Sequence, residues 1–129
     1  ANGVTSVSLD PPLVLVCVET GNQTHPRLTE AGCFAMNILS AEQKDLSDRF
    51  AFAGPKDCSG LEVLTAATGA PILPGTLGYV DCQVHEVVTA GDHDIFLGEI
   101  VAGEFFEGAP LLYFGGGYRT LAANEPSEE

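Results

Sequence analysis

The stretch Leu9-Asp-Pro-Pro-Leu-Val-Leu-Val-Cys-Val-Glu19 joins a turn to an uninterrupted apolar run. Pro11 and Pro12 fix φ and remove backbone donors, so they suit the mouth of a strand and not its middle. From Leu13 to Val18 every side chain is apolar, and a strand of that kind offers both faces for packing. The preceding segment, Ala1-Asn-Gly-Val-Thr-Ser-Val-Ser8, is polar and glycine-containing. It reads as a loop whose amides and hydroxyls form a polar rim beside the strand.

Outward from that strand, Thr20-Gly-Asn-Gln-Thr-His25 reads as a loop rich in side-chain oxygens. Pro26 can begin a short helix, because its missing N–H falls among the unpaired first-turn donors. Leu28 and Ala31 give that helix an apolar edge, and Gly32 ends it. Phe34 to Leu39 forms the next strand. Ser40 caps a second helix through Gln43, with Leu46 and Phe50 one turn apart on its inner side. Between Ala51 and Pro74, Gly54-Pro55, Gly60, Gly69 and Pro71 break the chain into loops, with a short strand near Leu61–Leu64. Such loops are where variation over a site is tolerated.

In the C-terminal half, Val80, Cys82, Val84 and Val88 alternate with Asp81, Gln83 and His85, the pattern of a half-exposed antiparallel strand. Ala90-Gly-Asp92 supplies a turn. Ile95 to Phe106 is a long strand apolar on both faces, with Gly98 and Gly103 where bulges or close approaches fit. Gly108-Ala-Pro110 turns into Leu111–Phe114. Gly115-Gly-Gly117 reads as a turn, since it lacks the lysine and following helix of a phosphate loop. The expected fold is mainly β, a small barrel of antiparallel strands whose closure removes exposed edges, with two short helices and a frayed tail after Asn124.

A chain of 129 residues suits one domain. Its net charge of -13, from 18 acidic and 5 basic residues, opposes nucleic-acid binding. Arg27, Lys44, Arg49, Lys56 and Arg119 are scattered along the sequence. No apolar run reaches bilayer length and no basic-then-apolar leader opens the chain, so the expected location is cytoplasmic. Cys17, Cys33, Cys58 and Cys82 lack metal-ligand spacing and read as small apolar residues. His25, His85 and His93 are too dispersed to argue for a metal site, and no nucleophile–base arrangement emerges.

The order of several blocks resembles the flavin reductase-like family. They are Ser6-Val-Ser-Leu-Asp-Pro-Pro-Leu-Val-Leu-Val16; Thr24-His25 followed by Phe34-Ala-Met-Asn-Ile-Leu39; Gln43 to Phe50-Ala51; and Asp92-His-Asp-Ile-Phe-Leu-Gly-Glu-Ile100 followed by Pro110-Leu-Leu-Tyr113 and Tyr118-Arg119. The resemblance implies an FMN-binding split β-barrel over residues 1–124, with 125–129 as an acidic tail. Departures are visible. Members usually carry a further strand and a Gly-x-Thr ahead of the segment matching Ala1-Asn2. Asn2-Gly3-Val4 lacks the family's aromatic residue, and Gly21-Asn22-Gln23 stands where a serine-rich run is common.

Carried onto this sequence, the resemblance implies that Asn2, Gly3, Thr5 and Ser6 line the flavin ring or ribityl chain. The amide of Asn2 suits that edge because it both donates and accepts; Thr5 and Ser6 could equally satisfy local backbone groups. Glu19, Asn22, Gln23, Thr24, His25 and Arg27 form a second loop, with flavin phosphate near Thr24 and with Arg27 or the helix amides facing the anion. His25 either touches phosphate or is an ordinary loop histidine. The resemblance sets His93 beside the flavin and nicotinamide rings, where an imidazole orients cofactor or steadies charge on reduced flavin. The bland alternative is a hydrogen bond within the turn. Tyr118 and Arg119 either close the site and contact the dinucleotide, or serve packing and dimer contact.

The implied activity is hydride transfer from NADH or NADPH to FMN or FAD, with the protein aligning the two rings. No pocket for a 2′-phosphate is evident, which favours NADH. A separate monooxygenase is the implied recipient of reduced flavin. The alternatives are a flavin-binding protein without turnover, an electron-transfer flavoprotein, or a structural barrel with a degenerate pocket. The apolar surplus of Phe105, Phe106, Tyr113 and Phe114 calls for cover by the helices or by a second subunit, and the family resemblance favours a homodimer.

Overall fold

In the computed structural model, which describes residues 3–51 and 58–122, the double-proline stretch is the corner of a hairpin. Asn2, Lys56 and the acidic tail 125–129 lie outside the described residues. Strand β1 (Val4–Leu9) pairs antiparallel with β2 (Pro12–Glu19) across a cis Asp10–Pro11 bond. The segment read as a polar loop is therefore a strand. Its apolar residues Val4, Val7 and Leu9 break the two-residue period because the register shifts between Ser6 and Ser8, which hides the strand from a pattern reading.

Helix α1 (Thr24–Ala31) starts ahead of Pro26, because the side chain of Asn22 already accepts the N–H of Thr24 at 2.8 Å. Gly32 ends it in the left-handed conformation (φ 68°), donating its N–H to Leu28 at 3.0 Å. Strand β3 (Cys33–Ile38) follows, then α2 (Lys44–Ala51). Half of the expected cap forms at α2: Gln43 Oε1 accepts the Ser40 N–H at 3.0 Å, whereas the Ser40 hydroxyl points to Glu42. The strand expected near Leu61–Leu64 shrinks to a single bridge between Leu64 and Ile72.

Strands β4 (Gly78–Ala90) and β5 (His93–Phe105) form the long central hairpin, and β6 (Leu112–Phe114) pairs with β7 (Gly117–Arg119) across the glycine turn. The main sheet is antiparallel in the order β1-β2-β5-β4-β3. No ladder joins β1 to β3 among the described residues, so the sheet is open at those two edges.

Register decides the faces. Val14, Val16 and Val18 of β2 pair with Gly98, Phe96 and Asp94 of β5, so the five side chains among them project to one side. Leu28 of α1 closes that side with Phe34 and Cys82, making a core completed by Met36, Val80, Val84 and Ile100. Gly98 is required there, because a Cβ at this position would sit 2.5 Å from the ring of Phe34 and 2.8 Å from Cys82 Cβ. Bulges fall at His85 and Val101 instead of at the glycines.

Asp81 departs from the alternation that placed it in solvent. It is fully buried, because the loop between Thr65 and Ala70 folds onto it: the N–H groups of Ala67 and Thr68 donate to Oδ2 at 2.8 and 2.9 Å, and the Thr68 hydroxyl donates to Oδ1. Burial, with Asp81 next to it, pushes the neighbouring Cys82 thiol up to about 11. That thiol is protonated and enclosed, as expected for a packing cysteine.

Candidate functional site

Antiparallel pairing gathers three loops at one end of the sheet. Glu19 at the end of β2 sits opposite His93 at the start of β5, and Thr20 N donates to Asp92 O at 3.0 Å. Gly3 joins the same end from β1, its carbonyl accepting the Cys17 N–H at 2.8 Å. The 19–25 loop then leads into α1, which packs on β2 and β3.

Two histidines occupy opposite faces of this end. His93 shares its face with Glu19, Cys17, Leu15 and Thr5, as the pairing of β1, β2 and β5 requires. Its Nδ1 lies 2.7 Å from Asp92 Oδ1 in the exposed turn. That hydrogen bond, followed by the charge of His93, lowers the Asp92 carboxyl below its ordinary value. The hydrogen bond within the turn thus exists; it uses one ring nitrogen, and the other makes no hydrogen bond among the described residues.

His25 lies on the core side. Its Nε2 is 2.7 Å from Asp94 Oδ2, and its ring meets Phe96 edge-on at 5.7 Å between centroids. The hydrogen bond from His25, with a weaker pull from the Thr89 hydroxyl opposite, lowers the Asp94 carboxyl. Asp94 was not singled out from sequence. A carboxylate facing a core is legible only after β5 is paired with β2 and α1 is laid over it.

The α1 end is less open to an anion than its sequence suggests. The Thr24 N–H is taken by Asn22 Oδ1 and the His25 N–H by Asn22 O at 3.3 Å, and Pro26 has none. The donors an anion would meet here are side chains: the Thr24 hydroxyl, which makes no hydrogen bond among the described residues, the His25 ring, and the Arg27 guanidinium one turn on. That donor set fits a phosphate group. Thr5 and Ser6 sit farther along β1, opposite Leu15 and Val14.

Tyr118 and Arg119 are not part of this cluster. They lie at the other end of the central hairpin, where the Tyr118 hydroxyl bonds Ser47 Oγ at 3.0 Å and Asp48 Oδ1, and Lys44 Nζ stands 5.3 Å from its ring centre. The Asp48 bond raises the Tyr118 hydroxyl above its ordinary value. With Ala41, Leu111 and Thr120 these residues line a cleft of about 380 Å³.

The flavin reductase-like domain model matches residues 1–122. The chain belongs to the flavin reductase-like family. It is 38% identical over 120 residues to a probable flavin reductase of Rhizobium meliloti, covering 93% of this chain and 39% of that protein. It is 37% identical over 128 residues to an NADH-dependent FAD reductase of Streptomyces globisporus, covering 95% of this chain and 70% of that protein. Among solved structures, the flavin reductase component of a bacterial two-component tryptophan halogenase superposes with a TM-score of 0.87 at 37% identity, over 96% of this chain and 81% of that one. The open antiparallel sheet with short helices is thus the split-barrel fold of this family. Among the described residues no helix is long and apolar enough to cross a membrane, and no cluster of acidic, histidine and cysteine side chains could hold a metal.

Proposed function

We propose that the chain is an NAD(P)H-dependent flavin reductase whose flavin wraps around the Glu19–His93 end of the sheet. The observation that carries this reading is the meeting of the 19–27 loop with the Asp92–Asp94 turn, in a chain whose relatives include NADH-dependent FAD and FMN reductases. Flavin bound there would supply the redox chemistry, its N5 taking the hydride that nicotinamide C4 gives up. The residues bind and align. Thr24, His25 and Arg27 hold the phosphate, and the half-buried apolar face of Leu13, Leu15, Cys17, Ile95 and Leu97 excludes water from one side of the ring. His93, at the rim of that face, orients the ring pair. Gly3 completes the ring edge, with Thr5 and Ser6 along the ribityl chain.

The test is stopped-flow mixing of flavin-loaded protein with NADH or NADPH. Rapid loss of oxidised-flavin absorbance is expected, with the larger rate-to-KM ratio for NADH. Flavin that stays oxidised would favour a carrier or electron-transfer role, and absence of flavin binding a structural one. In the same assay, Thr24→Ala and Arg27→Ala are expected to weaken flavin binding by about ten-fold each while leaving the reduction rate at saturation nearly unchanged, because phosphate contacts hold ground and transition states alike. Unchanged flavin affinity in both would remove the loop from the site.

Reduced flavin passes to a separate monooxygenase component, as the names of related reductase subunits suggest. The molecule works as a homodimer. The exposed Phe105, Phe106, Tyr113 and Phe114, together with the half-exposed face around Leu15 and Leu97, leave more apolar surface than the two helices cover. In such a dimer the Tyr118–Arg119 cleft of one chain and the His93 end of the other can contribute to one site. The cytoplasm is the compartment that supplies the nicotinamide donor.

A further inference from the structure

We propose that Asp94 is a positioning residue: its carboxylate holds the Nε2 proton of His25, so that Nδ1 is the nitrogen presented to an anionic group on the 19–27 loop. The proposal rests on the reading of that loop as the flavin-phosphate site.

Asp94 projects to the core side of β5, opposite Val18 on one neighbour and Thr89 on the other. Its side chain is only 14% exposed, and Oδ1 is buried without a partner at hydrogen-bond distance. A carboxylate so enclosed is costly unless donors compensate it; the short contact to His25 Nε2 is the main one, with a weaker pull from the Thr89 hydroxyl. A carboxylate only accepts, so Nε2 carries a proton in either charge state of the ring. Phe96 sets the ring plane from the side. Among the described residues Nδ1 has no hydrogen-bond partner, so it is the ring nitrogen open to a ligand.

An anion needs a donor at that nitrogen. The first-turn amides of α1 do not supply it, being bonded to Asn22 or replaced by Pro26. Binding of a phosphate group therefore draws a proton onto Nδ1, and the imidazolium lies between the Asp94 carboxylate and the ligand. The other titratable groups on the packed elements are Arg27 and Glu30 of α1, Cys17 and Glu19 of β2, Cys33 of β3, Tyr79, Asp81, Cys82, His85 and Glu86 of β4, Glu99 and Glu104 of β5, and the Asp92–His93 pair. Of these Arg27 alone is a permanent cation, so the charge at the loop changes most through His25.

The experiment compares FMN with riboflavin, which lacks the phosphate, by calorimetric titration of the full chain near neutral pH. Wild type is expected to prefer FMN and to take up protons on binding it, seen as a dependence of the binding heat on buffer ionisation enthalpy. Asp94→Asn keeps the size of the side chain and removes the charge; FMN affinity is expected to fall about ten-fold while riboflavin affinity changes by less than about two-fold. His25→Gln should show the same selective loss without proton uptake, and it carries the comparison if Asp94→Asn loses riboflavin binding through misfolding. An FMN preference and proton uptake that survive in both variants overturn the role of the pair while leaving the flavin site intact. Wild type that binds FMN and riboflavin equally overturns the phosphate reading of the loop, and wild type that binds neither overturns the flavin reading; the proposal falls with each.

Discussion

His93→Ala is expected to slow single-turnover reduction of bound flavin by about 10- to 100-fold, the range lost when a positioned polar group no longer meets the reacting rings. Flavin affinity should stay within about two-fold, since the side chains proposed to hold the phosphate lie across the sheet on α1. Stability should change by less than about 0.5 kcal/mol, because the side chain is 44% exposed and its bond to Asp92 belongs to a solvated turn. The readout is stopped-flow bleaching at saturating flavin and donor, with flavin titration alongside. A rate equal to wild type would reduce His93 to a turn residue. His93→Asn separates the roles: an amide can keep the bond to Asp92, so a variant as slow as alanine assigns the loss to the second ring nitrogen.

The second large effect concerns folding. Asp81→Ala is expected to cost about 3–5 kcal/mol, because it leaves two loop amides and a hydroxyl without their acceptor inside the protein. For a chain of this size that lowers the thermal midpoint by about 10 °C or more. The loop around Ala67–Ala70 should also become a site of early proteolytic cleavage. Asp81→Asn should fall between the two, since its carbonyl accepts from one amide while its NH2 faces the other. A midpoint equal to wild type would show that Asn37, which accepts the Leu73 N–H at 2.9 Å and donates to Pro71 O at 3.1 Å, pins this loop unaided.

Much of the architecture was legible in the sequence because it is written in local chemistry. Pro11 and Pro12 marked the mouth of β2, Gly32 the end of α1, Gly91 and the Gly115–Gly116 pair the hairpin turns, each through a φ value that other residues avoid or cannot leave. The apolar run of β2 told of a strand, of which the Val14–Val16–Val18 face is packed in the core and the Leu13–Leu15–Cys17 face is half-exposed. The resemblance in block order then led to the flavin reductase-like family, which the domain match bears out.

What escaped depended on neighbours distant in sequence. The segment before the prolines reads as a loop until β2 offers it a ladder, since the bulge between Ser6 and Ser8 scrambles its alternation. Asp81 reads as solvent-facing until a loop 13 residues upstream supplies its donors. His25 and Asp94, 69 residues apart, are ordinary polar residues until α1 is laid over β5. Local sequence thus determined where strands and turns begin, because backbone dihedrals and side-chain period are properties of a few consecutive residues. The tertiary structure alone decided which carboxylates are buried and which histidine faces the core. Burial and hydrogen bonding are set by register and packing, and one residue of register moves every side chain to the other face.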